Sequence, residues 1–436
     1  MTVSSHAPRS ILDTDLYKLT MQQAVLHHFP KTNATYKFTL RDKSAVFTKQ
    51  AVNVFQQTVD LFGELALTDS EHAWLKKTCP YFTDEYLFYL RDYRFRPTEQ
   101  VRVKFVPTSS DGETGTIEID IHGPWVETIF WEVPLMATLS EVYFKCVAMD
   151  WSYDGQKDLA YEKGRTLLQA NCVISEFGTR RRRSFQTQDI VVESLVRACQ
   201  DTGKPRKALW HEQCMPAFNL YTPLTELDRR FTWHINTTWL QSGLSLSKRF
   251  LFDVLDSSFN SEWFMGVAAL TGYEDANSIA MNLWEEVYPN ALLIALTDTF
   301  SSETFFKSYA SDKERALRWQ GLRQDSGDPF VFGRRAKEVF DSLGINPREK
   351  IIVYSDALDI DKALGLKEQA DDLGLNVSFG IGTFLTNDFK KTGSTDKSKA
   401  LNMVIKLSSV DDHPCVKLSD DLTKVDGLAC RVIDFL

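Results

Sequence analysis

No apolar run of the roughly 18 residues needed to cross a bilayer occurs in this 436-residue chain, so no membrane partner is expected. The opening MTVSSHAPRS lacks the basic region and apolar core of a secretory signal, which makes a cytoplasmic or nuclear location the expectation. Cysteine is sparse: seven residues, at 79, 146, 172, 199, 214, 415 and 430, are never in Cys-x-x-Cys spacing. That scatter argues against a disulfide framework and against a zinc site, and leaves buried reduced thiols. Positive charge is in deficit, with 50 Lys and Arg against 59 Asp and Glu and a formal net charge of −9. A general nucleic-acid binder needs a basic face, so no nucleic-acid partner is expected and any anion site has to be local. No internal repeat or low-complexity tract breaks the chain.

What is present is the balance of a globular protein, 43% hydrophobic and 25% charged. The length exceeds one ordinary core, which leaves two packed regions, or one large α/β barrel with an added layer. Residues 11–28, ILDTDLYKLTMQQAVLHH, have helical spacing with acidic residues in the first turn. From there to about 150, short alternating strands (ATYKFTLRD, VRVKFVP, GTIEIDIHG) mix with helical segments at 50–64 and 82–91, the pattern of an α+β layer. Residues 151–400 turn to β/α alternation: a helix at 157–170, then CVISEFGT, a helix at about 184–200, and the apolar runs LLIALTDT, GLRQDS, KIIVYSDAL and NVSFGIGT. The fold class is therefore α/β, an irregular (β/α) barrel from 151 to 400 with an N-terminal α/β layer at 1–150. The alternating LNMVIKLSSV and HPCVKLSD, within 400–436, are expected to rejoin that layer.

In such barrels chemistry sits where strands end. Polar clusters fall at those ends: Arg180, Asp298, Arg323 with Asp325, Asp356, and Gly380 to Thr383. FGIGT (379–383) lets backbone N–H groups approach a phosphate closely, with the Thr383 hydroxyl as a further donor; an ordinary glycine turn reads equally well. RQDSGDP sets Arg323 and Asp325 at i, i+2, either an anion fork beside an acceptor or a structural Arg–Asp pair. In YSDALD, Asp356 offers itself to sugar hydroxyls or caps a helix. SEFGTRRRRSF (175–185) carries four consecutive arginines. A solvated helix face accounts for at least two of them, whereas Arg180 follows the Gly178–Thr179 turn and Phe177 can stack on a flat ring or fill core. Taken together, these groups suit a phosphorylated sugar bearing further charge.

LDTDLYKLTMQQAV, SEFGTRRRRS, EWFMGVAA, ALTDTF, RQDSGDP, YSDALD and FGIGTFLTND, in this order, resemble the nicotinate phosphoribosyltransferases, most of all the fungal type, over about 9–205 and 262–425. The resemblance implies transfer of the phosphoribosyl group of phosphoribosyl pyrophosphate to nicotinate, with ATP as co-substrate and Mg²⁺, in NAD salvage. It implies the type II phosphoribosyltransferase fold and a homodimer with active sites at the subunit interface. On the same basis Tyr17 would reach the pyridine ring from the partner subunit and Phe177 would pack on its other face. Arg323 would pair with the carboxylate or a phosphate and Arg180 with pyrophosphate. Asp325 and Asp356 would organise ribose hydroxyls and Mg²⁺, and Gly380, Gly382 and Thr383 would cradle the 5-phosphate.

Between 206 and 261 the family pattern stops. Its Gly-Thr-Ser-Asn-Val loop is absent, and Ser261 stands before Glu262 and Trp263 where the family has a histidine phosphorylated by ATP. Codons for Trp210 to Cys214, WHEQC, can be chosen so that a one-base shift reads Gly-Thr-Ser-Asn-Val, so the block reads as frameshifted or retained-intron translation. His211 and His234 are poor substitutes for the missing histidine. The ending VDGLACRVIDFL drifts in the same way. The alternative function is an impaired homologue that binds substrate or a partner subunit without turnover.

Overall fold

The computed structural model describes residues 7–204, the backbone of the strand Leu209–His211, and residues 261–421. The readings made for 205–208, 212–260 and 422–436, including His234, the codon shift beyond His211 and the drifting ending, lie outside the described residues.

Two six-stranded sheets organise the fold. The first has the order His413–Pro414, Met403–Val410, Asn33–Leu40, Thr114–Pro124, Phe47–Thr48, with Val101–Pro107 also paired to Thr114–Pro124. Its pairs are antiparallel. Along Thr114–Pro124 buried and open positions alternate, so Ile117, Ile119 and Ile121 enter the core while the residues between them face outward. The long register of Met403–Val410 on Asn33–Leu40 brings the chain back to this sheet after residue 400.

The second sheet runs Leu209–His211, Ile174–Glu176, Asn376–Ile381, Ile351–Tyr354, Gly321–Gln324, Ile294–Leu296. All of its pairs are parallel. Ile351–Tyr354 and Ile294–Leu296 are buried at every position, as strands of an α/β barrel covered on both faces must be. The connecting helices start where the chain supplies caps: Ser184 accepts from Thr187 N ahead of Phe185–Asp201, and Asp328 with Pro329 opens Pro329–Ser342. No helix among the described residues is long and apolar enough to cross a membrane. Of the described cysteines, Cys79, Cys172, Cys199 and Cys415 are buried free thiols and Cys146 is half-buried.

Three local expectations change. The first helix begins at Leu16 rather than 11, with Asp15 at its N-cap. HPCVKLSD does not continue as a strand. Only His413–Pro414 pairs, and the chain then crosses to the parallel sheet, where Leu418 N donates to Thr299 O (2.8 Å) and Asp420 accepts from Ser302 N (2.7 Å). The arginine run is not a helix face either. It spans a short 3-10 turn, Thr179–Arg181, and the α-helix starts only at Phe185. Arg182 and Arg183 are 4% and 0% exposed. Arg182 makes a two-pronged ion pair with Asp13 (2.7 Å on each prong), and Arg183 lies against the rings of Phe144, Phe389 and Trp151 while donating to Ser398 Oγ and O. Consecutive residues in a tight turn diverge, and here two of the four arginines diverge inward.

Candidate active site

The C-terminal ends of Ile174–Glu176, Gly321–Gln324, Ile351–Tyr354 and Asn376–Ile381 open on one cavity of about 380 Å³. Tyr17, Phe177, Arg180, Arg323, Asp325, Asp356, Gly382 and Thr383 all line it, so the site residues that the resemblance implies converge with one exception. Gly380 lies within its strand, and a Cβ there would collide with the Phe177 ring. It gives the ring room and is not part of the cavity wall. Gly178 is needed for a similar reason, since a Cβ would strike the Thr386 hydroxyl and the Glu176 carboxylate.

The Gly382–Thr383 turn is tied to the arginine turn by hydrogen bonds to main-chain oxygens. Thr386 Oγ1 donates to Gly178 O (3.2 Å), Arg183 N to Thr386 O (3.0 Å) and Asn387 Nδ2 to Arg181 O (2.7 Å). Buried Lys163 fixes the same turn from outside by donating to Phe384 O and Asp388 Oδ2, both at 2.6 Å. These two loops follow neighbouring parallel strands, so the register of the sheet sets the spacing between cradle and arginines.

Arg323 and Asp325 answer both readings of their motif. Nη2 lies 3.6 Å from Asp325 Oδ1, and Ser355 bridges the pair, accepting from Arg323 Nε (2.9 Å) and donating to Asp325 Oδ1 (2.7 Å). Yet Arg323 Nη1 is buried with no partner among the described residues, a donor left over for a ligand. The guanidinium also sits 5.3 Å from the Phe177 ring centroid. Burial pushes the Asp325 carboxyl up, but Arg323, Lys417, the Ser355 hydroxyl and Arg180 outweigh it and hold it below the usual carboxylate range. Asp356 is not the helix cap: Asp359 takes that role by accepting from Lys362 N, leaving Asp356 on the cavity wall.

Arg180 Nη1 donates to Glu132 Oε1 (3.1 Å) while its side chain stays 36% exposed. Arg181 also faces the cavity. Burial, with Arg180 and Arg41 beside it, lowers its pKa to about 10, so it remains charged at neutral pH. Tyr17, 4% exposed, lines the cavity of its own chain.

Sequence reasoning missed a further part of the cavity wall. By its spacing Asp15 is one of the acidic residues of a helix's first turn, but its side chain makes no cap bond and lies 2% exposed on the cavity. Burial, against the opposing pull of Arg180 and the Thr179 hydrogen bond, raises its pKa to about 6. Glu132, Glu262, Arg41, Lys406 and Lys417 complete that wall. Lys417 is carried in by the chain that crosses after Pro414 and pairs with Asp298 (2.8 Å), which also accepts from Ser326 and is fully buried beneath the strand ends. Local spacing gives no signal for these groups, because the contacts that assemble them join distant parts of the chain. Ser261 lines the cavity beside Glu262.

An arginine pair, strand-end carboxylates, an aromatic plate and a Gly-Thr turn around one polar cavity on a parallel sheet define an α/β-barrel enzyme acting on a small polyanionic substrate. Two family models match the sequence: the nicotinate phosphoribosyltransferase N-terminal domain over 12–140 and the nicotinate phosphoribosyltransferase family over 257–428. A probable nicotinate phosphoribosyltransferase of Schizosaccharomyces pombe is 37% identical over 429 residues, covering 98% of this chain and 96% of its own. The Saccharomyces cerevisiae nicotinate phosphoribosyltransferase is 35% identical over 428 residues, covering 96% of this chain and 92% of its own. Among solved structures, a putative nicotinate phosphoribosyltransferase from Saccharomyces cerevisiae superposes with a TM-score of 0.85 at 32% identity, covering 98% of both chains. The chain belongs to the nicotinate phosphoribosyltransferase family.

Proposed function

We propose that this chain transfers the phosphoribosyl group of phosphoribosyl pyrophosphate to the ring nitrogen of nicotinate, forming nicotinate mononucleotide and pyrophosphate in NAD biosynthesis. The observation that carries this reading is the convergence of Arg180, Arg323 with its unpartnered Nη1, and the Gly382–Thr383 turn around a cavity walled by Phe177 and Tyr17. The C1–oxygen bond to pyrophosphate breaks as the C1–nitrogen bond forms, through an oxocarbenium-like state. The protein therefore orients two substrates and stabilises departing negative charge, with no side-chain nucleophile. In this reading Arg180 receives the pyrophosphoryl end, the Gly382–Thr383 turn the 5-phosphate and Arg323 the pyridine carboxylate, while Phe177 and Tyr17 hold the ring.

Mg²⁺ is held in sites of this kind by one or two carboxylates together with substrate phosphates. Asp325 and Asp356 fit that donor set; no cluster of three or more His, Cys, Asp or Glu that could hold a metal exists among the described residues. The ion would neutralise phosphate charge as the leaving group departs. A homodimer belongs to the same reading. ATP is its co-substrate through the family histidine, and with Ser261 in that place ATP is expected to leave the rate unchanged, because a hydroxyl accepts phosphoryl groups far less readily than imidazole.

The test is product formation from phosphoribosyl pyrophosphate and Mg²⁺ with nicotinate or nicotinamide, each with and without ATP. The expected result is nicotinate mononucleotide from nicotinate alone, at equal rates with and without ATP. No product under any condition would overturn the catalytic reading.

A further inference from the structure

Lys18, directly after Tyr17 on the Leu16–His28 helix, is fully buried. Its ammonium lies 2.6 Å from Glu132 Oε2 and 2.5 Å from Glu262 Oε2. Each carboxylate has a second engagement. Glu132 Oε1 accepts from Arg180, and Glu262 Oε1 accepts from the Tyr36 hydroxyl (2.5 Å) and Trp125 Nε1 (3.3 Å). Glu132 opens the Glu132–Cys146 helix, and Glu262 is the second residue of Ser261–Thr271. Lys18 thus clamps two helix N-termini, both on the cavity wall, from a third element more than 100 residues away in sequence.

The quartet Lys18, Arg180, Glu132 and Glu262 is neutral. Only Arg180 among its cations reaches the cavity, where Glu132 and Glu262 also line the wall and Glu132 accepts its hydrogen bond. Were those carboxylates unbalanced, their field would cancel much of the attraction that Arg180 exerts on an anion, and in a buried setting that field is weakly screened. Despite burial, Lys18 and Arg180 hold the Glu132 carboxyl below its ordinary range, so it stays ionised and needs a balancing charge.

We propose that Lys18 is a positioning residue for anion binding: it balances the Glu132 and Glu262 carboxylates so that Arg180 retains its charge for the pyrophosphoryl group of the substrate. The assignment rests on the phosphoribosyl-transfer reading for the identity of the anion, but its test needs no turnover. Titration calorimetry with inorganic pyrophosphate and Mg²⁺ at fixed ionic strength, on the full chain, reads the dissociation constant and the fraction of competent sites separately.

Lys18→Met should weaken pyrophosphate binding about tenfold with the site fraction intact. Adding Glu262→Gln to that variant should restore the wild-type constant within about twofold, because the charge balance returns. Glu262→Gln alone, which leaves one positive charge in excess, should tighten binding about tenfold. A role confined to folding would lower the site fraction and leave the constant unchanged, and that result would overturn the proposal. A double variant as weak as Lys18→Met would also overturn it. Should Lys18→Met fail to fold, Glu262→Gln alone decides, and an unchanged constant overturns it. Variants that show these binding shifts beside a wild-type chain that makes no nucleotide refute the function and not the role of Lys18; an active wild type whose variants lack the shifts refutes the role alone.

Discussion

The two sides of the cavity are built in opposite ways. On the strand-end side, Arg323, Asp325 and Ser355 come from neighbouring parallel strands, pair loosely, and leave a buried donor over at Arg323 Nη1. On the helix side, Lys18, Glu132, Glu262 and Arg180 bond to one another across large sequence distances, and just behind them Arg182 closes on Asp13. The first arrangement leaves polar capacity for a ligand. In the second, most of that capacity is satisfied within the protein. The arginine run serves both needs: Arg180 and Arg181 line the cavity while Arg182 and Arg183 are buried in the protein.

If that division is right, substitutions on the two sides should fail in different currencies. The largest effect is expected at Arg182. Replacing it by Met leaves the Asp13 carboxylate, 3% exposed, without its two-pronged partner. Breaking a buried pair from one side costs about 3–5 kcal/mol, so urea denaturation should show a loss of that order. Arg183→Met, which abandons no carboxylate, should cost far less. Equal losses at the two positions would break the comparison.

Next in size is Arg323→Ala, on the open side. Removing a charged donor from the substrate should lower kcat/KM about 100-fold while moving the melting temperature by only about 2–3 °C. A loss of stability comparable to that of Arg182→Met would show that Arg323 serves the scaffold instead.

The same division explains what the sequence could reveal. Phe177, Arg323, Asp325, Asp356 and Gly382–Thr383 sit at the ends of short apolar strands, where the strand period and a turn signal mark each position without knowledge of the partner. Met403–Val410 was legible as a strand for the same reason, by alternation alone. Lys18 and Glu262 carry no such mark: a lysine in a helix reads as a solvated residue until a carboxylate 244 positions away is placed against it. Four successive arginines suggest an exposed face, and only the three-dimensional partners of Arg182 and Arg183, Asp13 and the rings of Phe144 and Phe389, make their burial tolerable. Lys417 was lost because a two-residue strand, His413–Pro414, ends in a crossover that no period signals.

Asp15 gives the smallest and most discriminating effect, because it belongs to the helix side but has an oxygen, Oδ1, without a partner among the described residues. Its pKa of about 6 lies above the ordinary 3.8, chiefly through burial. A raised carboxyl favours folding while it is protonated: the contribution is complete below about pH 4 and is lost as pH rises through 6. Asp15→Asn is neutral at every pH, so it should be more stable than the wild type by about 2–3 kcal/mol at pH 8, with the gap closing toward pH 4. Denaturation curves at those two pH values check this. A gap independent of pH would mean that the Asp15 charge is compensated inside the protein as fully as that of Glu132, and the contrast between a ligand-ready group and a satisfied one would have to be redrawn at this residue.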